Sequence, residues 1–190
     1  GALDYMRRRC SLCLLIFLSY SAARGGNLPS AAEKQDWPAV MAQISAKAGL
    51  NAAQVDGTTA LHWAAYHDRA DVAAELLAAG AQPDPKNRYG ITPLLLACQN
   101  GNEVMVRALL KAGADSNATQ RGGESALMVA ARTGKPGAVQ ALIEHGAKVD
   151  AQDRSKQTAL MWAAAAGHAE AVDLLLQKGA DLNRRLSSGF

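Results

Sequence analysis

The sequence predicts an all-α solenoid, built from stacked helix-turn-helix units that are joined by protruding β-turns. One observation is a nine-residue motif that returns every 33 residues: GTTALHWAA, GITPLLLAC, GESALMVAA and KQTALMWAA begin at positions 57, 90, 123 and 156. The other is a glycine-alanine pair that returns with the same period, at Gly80, Gly113, Gly146 and Gly179. A unit this short cannot bury its apolar face alone, so neighbouring units are expected to stack.

Each period contains the signals of two helices in a fixed order. A hydroxyl residue stands third in every motif copy, where its side-chain oxygen can cap the first helix; these residues are Thr59, Thr92, Ser125 and Thr158. Paired small residues keep the first helix slim, and paired leucine or isoleucine residues give the second helix an apolar stripe. The glycine of each glycine-alanine pair is expected to end the second helix in the left-handed conformation.

Three positions depart from the repeating pattern. Asp68 stands between two helices where the other periods have glycine, Lys156 replaces a turn glycine, and Lys47 replaces a helix-ending glycine. Aspartate tolerates the left-handed conformation better than most residues, so we expect strain at Asp68 rather than a break in the stack.

Running the period backwards from position 57 reveals a degenerate first unit. Leu28, Val40 and Asn51 match conserved positions of the later units, while Pro29 and Ser30 are expected to weaken its first helix. The predicted units are a capping repeat at 24–56, four full repeats at 57–89, 90–122, 123–155 and 156–188, and the start of a truncated further repeat at 189–190.

The order of turn, T-P-L-H-type helix start, paired alanines and G-A-D closing resembles the ankyrin repeat family. The segments GITPL at 90–94 and GADSN at 113–117 are close to the family consensus, and the resemblance covers about residues 28–190. The resemblance implies a concave surface, formed by the turn tips and the exposed side of each first helix, which contacts partner proteins. It is specific for the fold and not for a particular function.

Carried onto this chain, the resemblance implies a set of partner-binding residues. These are Tyr66, His67, Arg88, Tyr89, Ile91, Gln99, Asn100, Arg121, Glu124, Arg132, Arg154 and Gln157. Arg88, Arg121 and Arg154 occupy one position in three successive turns, about 10 Å apart if the units pack like neighbouring helices. Such a row favours a partner with an acidic surface, although three solvated surface arginines are the alternative. Neither Arg121 nor Tyr89 is expected to help stack the units.

Candidate catalytic groups do not form a recognisable constellation. The resemblance implies a structural role for His62, and no metal-ligand spacing, phosphate-binding loop or nucleophile-base pair stands out. Trp63 and Trp162 share one helix position that we expect to be core, and Cys98 is expected to be buried and unreactive. We therefore expect a non-catalytic scaffold for a protein partner, without cofactor, metal or small-molecule substrate. Two alternatives are a recognition arm of a larger enzyme and a stress-protection factor that acts through a partner enzyme.

The N-terminal segment has the layout of a secretory signal peptide. MRRR at 6–9 precedes the apolar stretch 10–20 and the small residues at 21–23, which predicts cleavage after Ala23, or secondarily after Ala32. The stretch is too short for a permanent membrane anchor, and an ordinary buried helix is the alternative. We thus assign residues 1–23 to the signal peptide and what precedes it. Export to the periplasm or the extracellular space follows, and a likeness to exported ankyrin proteins suggests a bacterial origin.

The net charge of +3 does not indicate a nucleic-acid-binding protein. The chain has 20 basic and 17 acidic residues, and three of the basic ones lie at 7–9, outside the predicted repeats. The repeats themselves are close to neutral, so they carry no general basic field that would attract nucleic acid.

Overall fold

The computed structural model describes residues 27–184, and this part of the chain contains ten α-helices. The helices are α1 (Leu28–Glu33), α2 (Trp37–Ser45), α3 (Ala60–Tyr66), α4 (Ala70–Ala79), α5 (Pro93–Asn100), α6 (Glu103–Lys111), α7 (Ala126–Thr133), α8 (Pro136–Glu144), α9 (Ala159–Ala165) and α10 (Ala169–Gln177). The all-α prediction is confirmed. The predicted signal peptide and the segment 189–190 lie outside the described residues, as do the last four residues of the fourth repeat.

The helices stack in two rows. The first helices α1, α3, α5, α7 and α9 pack one on the next, the second helices α2, α4, α6, α8 and α10 do the same, and the two helices of each pair also touch. One continuous apolar cluster runs between the rows and includes Leu61, Leu94 and Leu127 from the first helices. None of these helices has the length and apolarity needed to cross a bilayer. The stability of each pair therefore depends on its neighbours.

The hydroxyl caps predicted from the motif are present at Thr92, Ser125 and Thr158. The Oγ1 of Thr92 accepts a hydrogen bond from the backbone N–H of Leu95 at 3.3 Å. The Oγ of Ser125 accepts in the same way from Met128 at 3.2 Å. Each cap gives a partner to one N–H that the first turn of the helix leaves without one. The first helix of each repeat thus begins where the motif predicts.

The left-handed residues that the sequence predicts are present, and Gln35, with a φ of 59°, is a further one that it did not predict. Gly80 ends α4 with a φ of 105°. The non-glycine residues Lys47, Asp68 and Lys156 have φ values of 50°, 58° and 65°. The Oδ1 of Asp68 accepts a hydrogen bond from the Nδ2 of Asn102 in the next repeat at 2.7 Å, which helps to offset the backbone strain.

Pro29 and Ser30 do not weaken the first helix, so this prediction was wrong. Pro29 lies in the first turn of α1, where a backbone N–H has no partner within the helix and its loss costs nothing. The Oδ1 of Asn27 caps the same turn by accepting from the N–H of Ser30 at 3.2 Å. Leu28 and Ala32 are buried against the next unit, so α1 is a regular member of the first row.

Candidate protein-binding surface

Two of the turns that carry the arginines, those of Arg88 and Arg154, are held by a side chain within the turn. The Oδ1 of Asn87 accepts the backbone N–H groups of Tyr89 and Ile91, both at 3.0 Å. Two periods later the Oδ1 of Asp153 accepts the N–H groups two and four residues on, at 2.8 and 2.9 Å. Because these bonds close the turn from inside, Arg88 and Arg154 project from tips of defined shape.

Successive turns are also joined to one another. The backbone N–H of Arg88 donates to the carbonyl oxygen of Asp56 at 2.8 Å, and that of Arg154 donates to Gly122 at 3.2 Å. Between these two joints the Nη2 of Arg121 donates to the carbonyl oxygen of Arg88 at 2.6 Å. Arg121 therefore helps to stack the turns, contrary to the expectation from the sequence.

The turn glycines permit this close approach. Gly57 has a φ of 86°, and a Cβ placed on it would lie 3.1 Å from the Cα of Asn87 in the next turn. Gly123 has a φ of 84°, and its Cβ would lie 3.3 Å from the backbone nitrogen of Arg154. A side chain at either position would strain its own backbone and push the neighbouring turn away.

Arg88, Arg121 and Arg154 are all exposed at successive tips, and we call them the arginine row. The guanidinium of Arg88 lies over the ring of Tyr89, 5.2 Å from its centroid, and donates to the Tyr89 hydroxyl at 3.1 Å. Tyr89 is itself about half exposed. The row thus offers charged and aromatic surface to a partner without any further opening of the turn.

An aromatic cluster lies at the first-helix end of the first full repeat. The ring of His67 stacks on Trp63, with centroids 5.8 Å apart, and meets the edges of Trp37 and Tyr66 at 5.8 and 5.1 Å. The guanidinium of Arg69 lies over the Trp37 ring, 4.6 Å from its centroid. Tyr66 is 59% exposed, whereas the Nε2 of His67 is buried and makes no hydrogen bond within residues 27–184. Tyr66 is therefore the part of this cluster that a partner can reach.

The helix position shared by the two tryptophans is only partly core. Its members are Trp63, Leu96, Val129 and Trp162, and of these only Val129 is buried while the others are half-buried. The indole N–H of Trp63 donates to the Oε1 of Gln54 at 3.1 Å, and that of Trp162 to the Oδ2 of Asp153 at 3.4 Å. Arg132 lies 5.2 Å over the Trp162 ring. The tryptophans tie each first helix to its own turn, because each indole combines apolar area with one donor.

The other predicted binding residues differ in exposure. Gln99 and Arg132 are exposed, while Glu124 and Gln157 are half-buried. Asn100 is exposed, but its Nδ2 donates to the carbonyl oxygen of Ala65 in the preceding repeat at 2.9 Å. A binding role for these residues stays a prediction, and Asn100 has a structural one in addition.

His62 joins the first two full repeats and has the structural role expected of it. Its side chain is 1% exposed. Its Nδ1 accepts the backbone N–H of Thr59 at 3.1 Å, which places the ring proton on Nε2, where it is 3.0 Å from the carbonyl oxygen of Ile91. Burial lowers the pKa of His62, so the ring is neutral in the fold. Ile91, which was predicted to bind a partner, is half-buried and contributes its carbonyl to this joint.

Two further features of the surface escaped the sequence analysis. Lys86 and Lys156 are exposed in the same turns as Arg88 and Arg154, and they add to the positive charge of the tips. Counting charges turn by turn would have revealed them. Trp37 lies in the degenerate first unit, and its contact with His67 depends on packing between repeats that the sequence pattern does not encode.

Reactive groups in the described residues are few. No three His, Cys, Asp or Glu side chains within residues 27–184 come together in a way that could hold a metal ion. Cys98 is fully buried, and burial raises the pKa of its thiol to about 12. The thiol is therefore protonated at neutral pH and lacks the thiolate that nucleophilic chemistry needs.

Comparison with known proteins agrees with this architecture. The family model described as ankyrin repeats (3 copies) matches residues 28–120 and 113–185. A protein of Oryza sativa subsp. japonica, named calmodulin-binding transcription activator CBT, is 47% identical to this chain over 51 residues. That match covers 24% of this chain and only 6% of the rice protein, so it concerns one short stretch of repeats. Ankyrin repeats generally mediate protein-protein interactions and are typically non-catalytic. With nearly all of the described residues matched in two overlapping segments, the chain belongs to the ankyrin repeat family.

Proposed function

We propose that this chain is a non-catalytic scaffold that holds a protein with an acidic surface along the arginine row and the adjoining ends of the first helices. The observation that carries the proposal is the placement of Arg88, Arg121 and Arg154 at equivalent, exposed tips of turns that hydrogen bonds join to one another. A planar guanidinium donates two parallel hydrogen bonds to a carboxylate, so three in a row form a specific binding site for acidic groups.

The charges around the row support the same partner chemistry. Lys86, Arg132 and Lys156 are exposed and have the same sign as the row. The nearby carboxylate of Asp56 is engaged within its own turn by the N–H and the hydroxyl of Thr58, both at 2.9 Å. Those hydrogen bonds lower the pKa of Asp56 and keep it ionised, so it offsets one positive charge and leaves the surface cationic.

A charge-matched pair of triple variants tests the proposal. One variant, the row variant, changes Arg88, Arg121 and Arg154 to glutamine. The control variant changes Lys111, Lys148 and Lys178 to glutamine. These lysines are exposed and lie in or just after the second helices. Immobilised wild type and both variants are used to capture proteins from the native host at low and high salt. We expect a protein that wild type and control retain and that the row variant loses.

The captured partner then permits a quantitative measurement. Arg121→Ala alone should weaken its binding by roughly 1–3 kcal/mol, because a central interface arginine is often a hot spot. Salt should slow association more than it speeds dissociation, since exposed charges mainly steer the encounter. Equal retention by the row variant and the lysine control would place the binding surface elsewhere and refute the proposal.

We also propose that the protein is exported by a bacterium to the periplasm or the extracellular space. The support is the sequence pattern of residues 6–23, in which three arginines precede an apolar stretch and a small-residue cleavage site. Mass spectrometry of protein recovered from its host should find a chain that begins after Ala23. Cytosolic protein that retains Met6 would rule out the proposed export.

A further inference from the structure

We propose that the partner contributes one extended segment of about ten residues, with an apolar residue at the end that lies beside Val55 and acidic residues at every third position along the arginine row. This inference rests on the proposed function and adds the chemistry, spacing and polarity of the bound segment.

Equivalent positions change character along the solenoid. The tip position that holds Arg88, Arg121 and Arg154 is occupied one period earlier by Val55, which is fully exposed. The exposed end of the first helix holds Tyr66, Gln99, Arg132 and Ala165 in successive repeats, so this line begins with an aromatic residue and is cationic only in the third repeat. The line of tips therefore begins with an apolar residue and is cationic at its three later members. A segment that is acidic throughout would match three of the four tips and leave Val55 without an apolar contact.

The space beside Val55 is continuous with the start of the arginine row. An open cleft of about 540 Å³ lies between α1 and the tips of the first two turns. Ala53 and Val55 contribute apolar atoms to its lining, Glu33 and Gln54 contribute polar ones, and Arg88 lines it as well. A side chain placed in this cleft would thus come from a segment that reaches Arg88 next.

The spacing of the tips selects an extended chain. Stacked helices lie about 10 Å apart, and an extended chain advances about 3.3 Å per residue, so one repeat corresponds to three residues. The four tips from Val55 to Arg154 then need about ten residues. An α-helix would need about seven residues for each repeat. Its width of about 10–12 Å suits a deep groove better than a line of protruding tips such as that of Val55, whose side chain is fully exposed.

Synthetic peptides provide a direct probe. The test peptide is acetyl-Leu-Ser-Gly-Glu-Ser-Gly-Glu-Ser-Gly-Glu-amide, and its reversed sequence covers the other chain direction. Each of the two peptides has three counterparts. In the first, serine replaces leucine, and in the second the three glutamates are consecutive. The third is lengthened so that a glutamate stands at every seventh position. Titration of the full chain at low salt, followed by NMR chemical shifts, reports affinities as weak as millimolar.

We expect one direction of the every-third peptide to bind best, and its leucine to improve the dissociation constant by about three- to tenfold. Val55→Ser, which alters no packing because Val55 is fully exposed, should abolish this leucine effect and leave the glutamate-dependent part. Arg121→Gln should weaken the peptides with and without leucine by the same factor. Lys111→Gln is the control and should change neither.

The extended segment and the binding role of the arginine row can be refuted separately. If leucine has no effect in either direction, if its effect survives Val55→Ser, or if the seventh-position peptide binds best, the extended bipartite segment is overturned. The same holds if no peptide shifts any resonance at millimolar concentration. If binding occurs but Arg121→Gln changes none of it, the proposed function of the arginine row is overturned instead.

Discussion

Replacing His62 by methionine should weaken the joint between the first two full repeats without disturbing the fold. Methionine occupies the same motif position in the third and fourth repeats, and there the Sδ of Met128 accepts the backbone N–H of Ser125 at 3.3 Å. His62→Met can therefore keep a cap for the N–H of Thr59 while it loses the hydrogen bond from Nε2 to the carbonyl oxygen of Ile91.

The size of the effect follows from what remains after the substitution. The carbonyl oxygen of Ile91 also accepts the N–H of Asn87 at 3.1 Å, so it keeps one partner. The loss is then the net value of one hydrogen bond, about 0.5–1.5 kcal/mol in the free energy of unfolding. His62→Ala would in addition leave a buried cavity and a buried N–H without a partner, so it should cost about 3 kcal/mol or more.

The same substitution should change how stability depends on pH. Burial lowers the pKa of His62 in the fold below its usual value of 6.5, so the unfolded chain takes up this proton first as the pH falls. The stability that the neutral ring provides is complete above pH 6.5 and is lost as the pH falls below it. At pH 5.5 the loss from this group is at most about 1.4 kcal/mol.

Urea unfolding of the wild type and His62→Met at pH 7.5 and 5.5 measures this difference. We expect the wild type to be more stable by about 1 kcal/mol at pH 7.5, and the gap to shrink by up to about 1.4 kcal/mol at pH 5.5. Comparing the two proteins cancels the contribution of groups that they share. A gap that stays constant or widens on acidification would refute the assignment of His62 as a buried neutral joint.

Two further predictions concern residues that the fold encloses. Cys98 should resist a thiol reagent at pH 8 in the native protein and react at the rate of a free thiol in urea, since its pKa is raised to about 12 by burial; rapid native labelling would contradict this. Gly123→Ala should destabilise the protein more than Gly146→Ala, by thermal unfolding. Both glycines have φ values near 85°, but only the Cβ at 123 would meet the next turn, while nothing lies within 4 Å of the one at 146. Equal losses of stability in the two variants would mean that the neighbouring turn moves aside without a cost in free energy.

The features that could be predicted from the sequence are those that repeat within each period. The caps, the left-handed residues such as Asp68 and Lys156, and the alignment of the arginines all follow from one motif and its spacing. Pro29 was misread because the period fixed the alignment of the first unit and not the residue at which its helix begins.

Contacts between repeats were beyond the reach of that pattern. The bond from Asn100 to Ala65 and the contact of the His67 ring with Trp37 depend on how side chains meet across the interface between units. Periodicity states that two units are neighbours, but it does not state which of their variable side chains touch. The proposed binding surface consists of such variable positions, so its side-chain contacts could be described only from the structure.

The joints along the turn tips have a mechanical consequence. A backbone hydrogen bond links the first turn to the second and another links the third to the fourth, whereas a long arginine side chain links the second to the third. An arginine side chain can rotate about several bonds, so its link resists bending less than a hydrogen bond between two peptide groups. The line of tips should therefore bend most easily at its centre. A ligand that binds Arg88 and Arg154 together would span this flexible point. It would therefore hold the two stiffer halves of the line of tips at one fixed curvature.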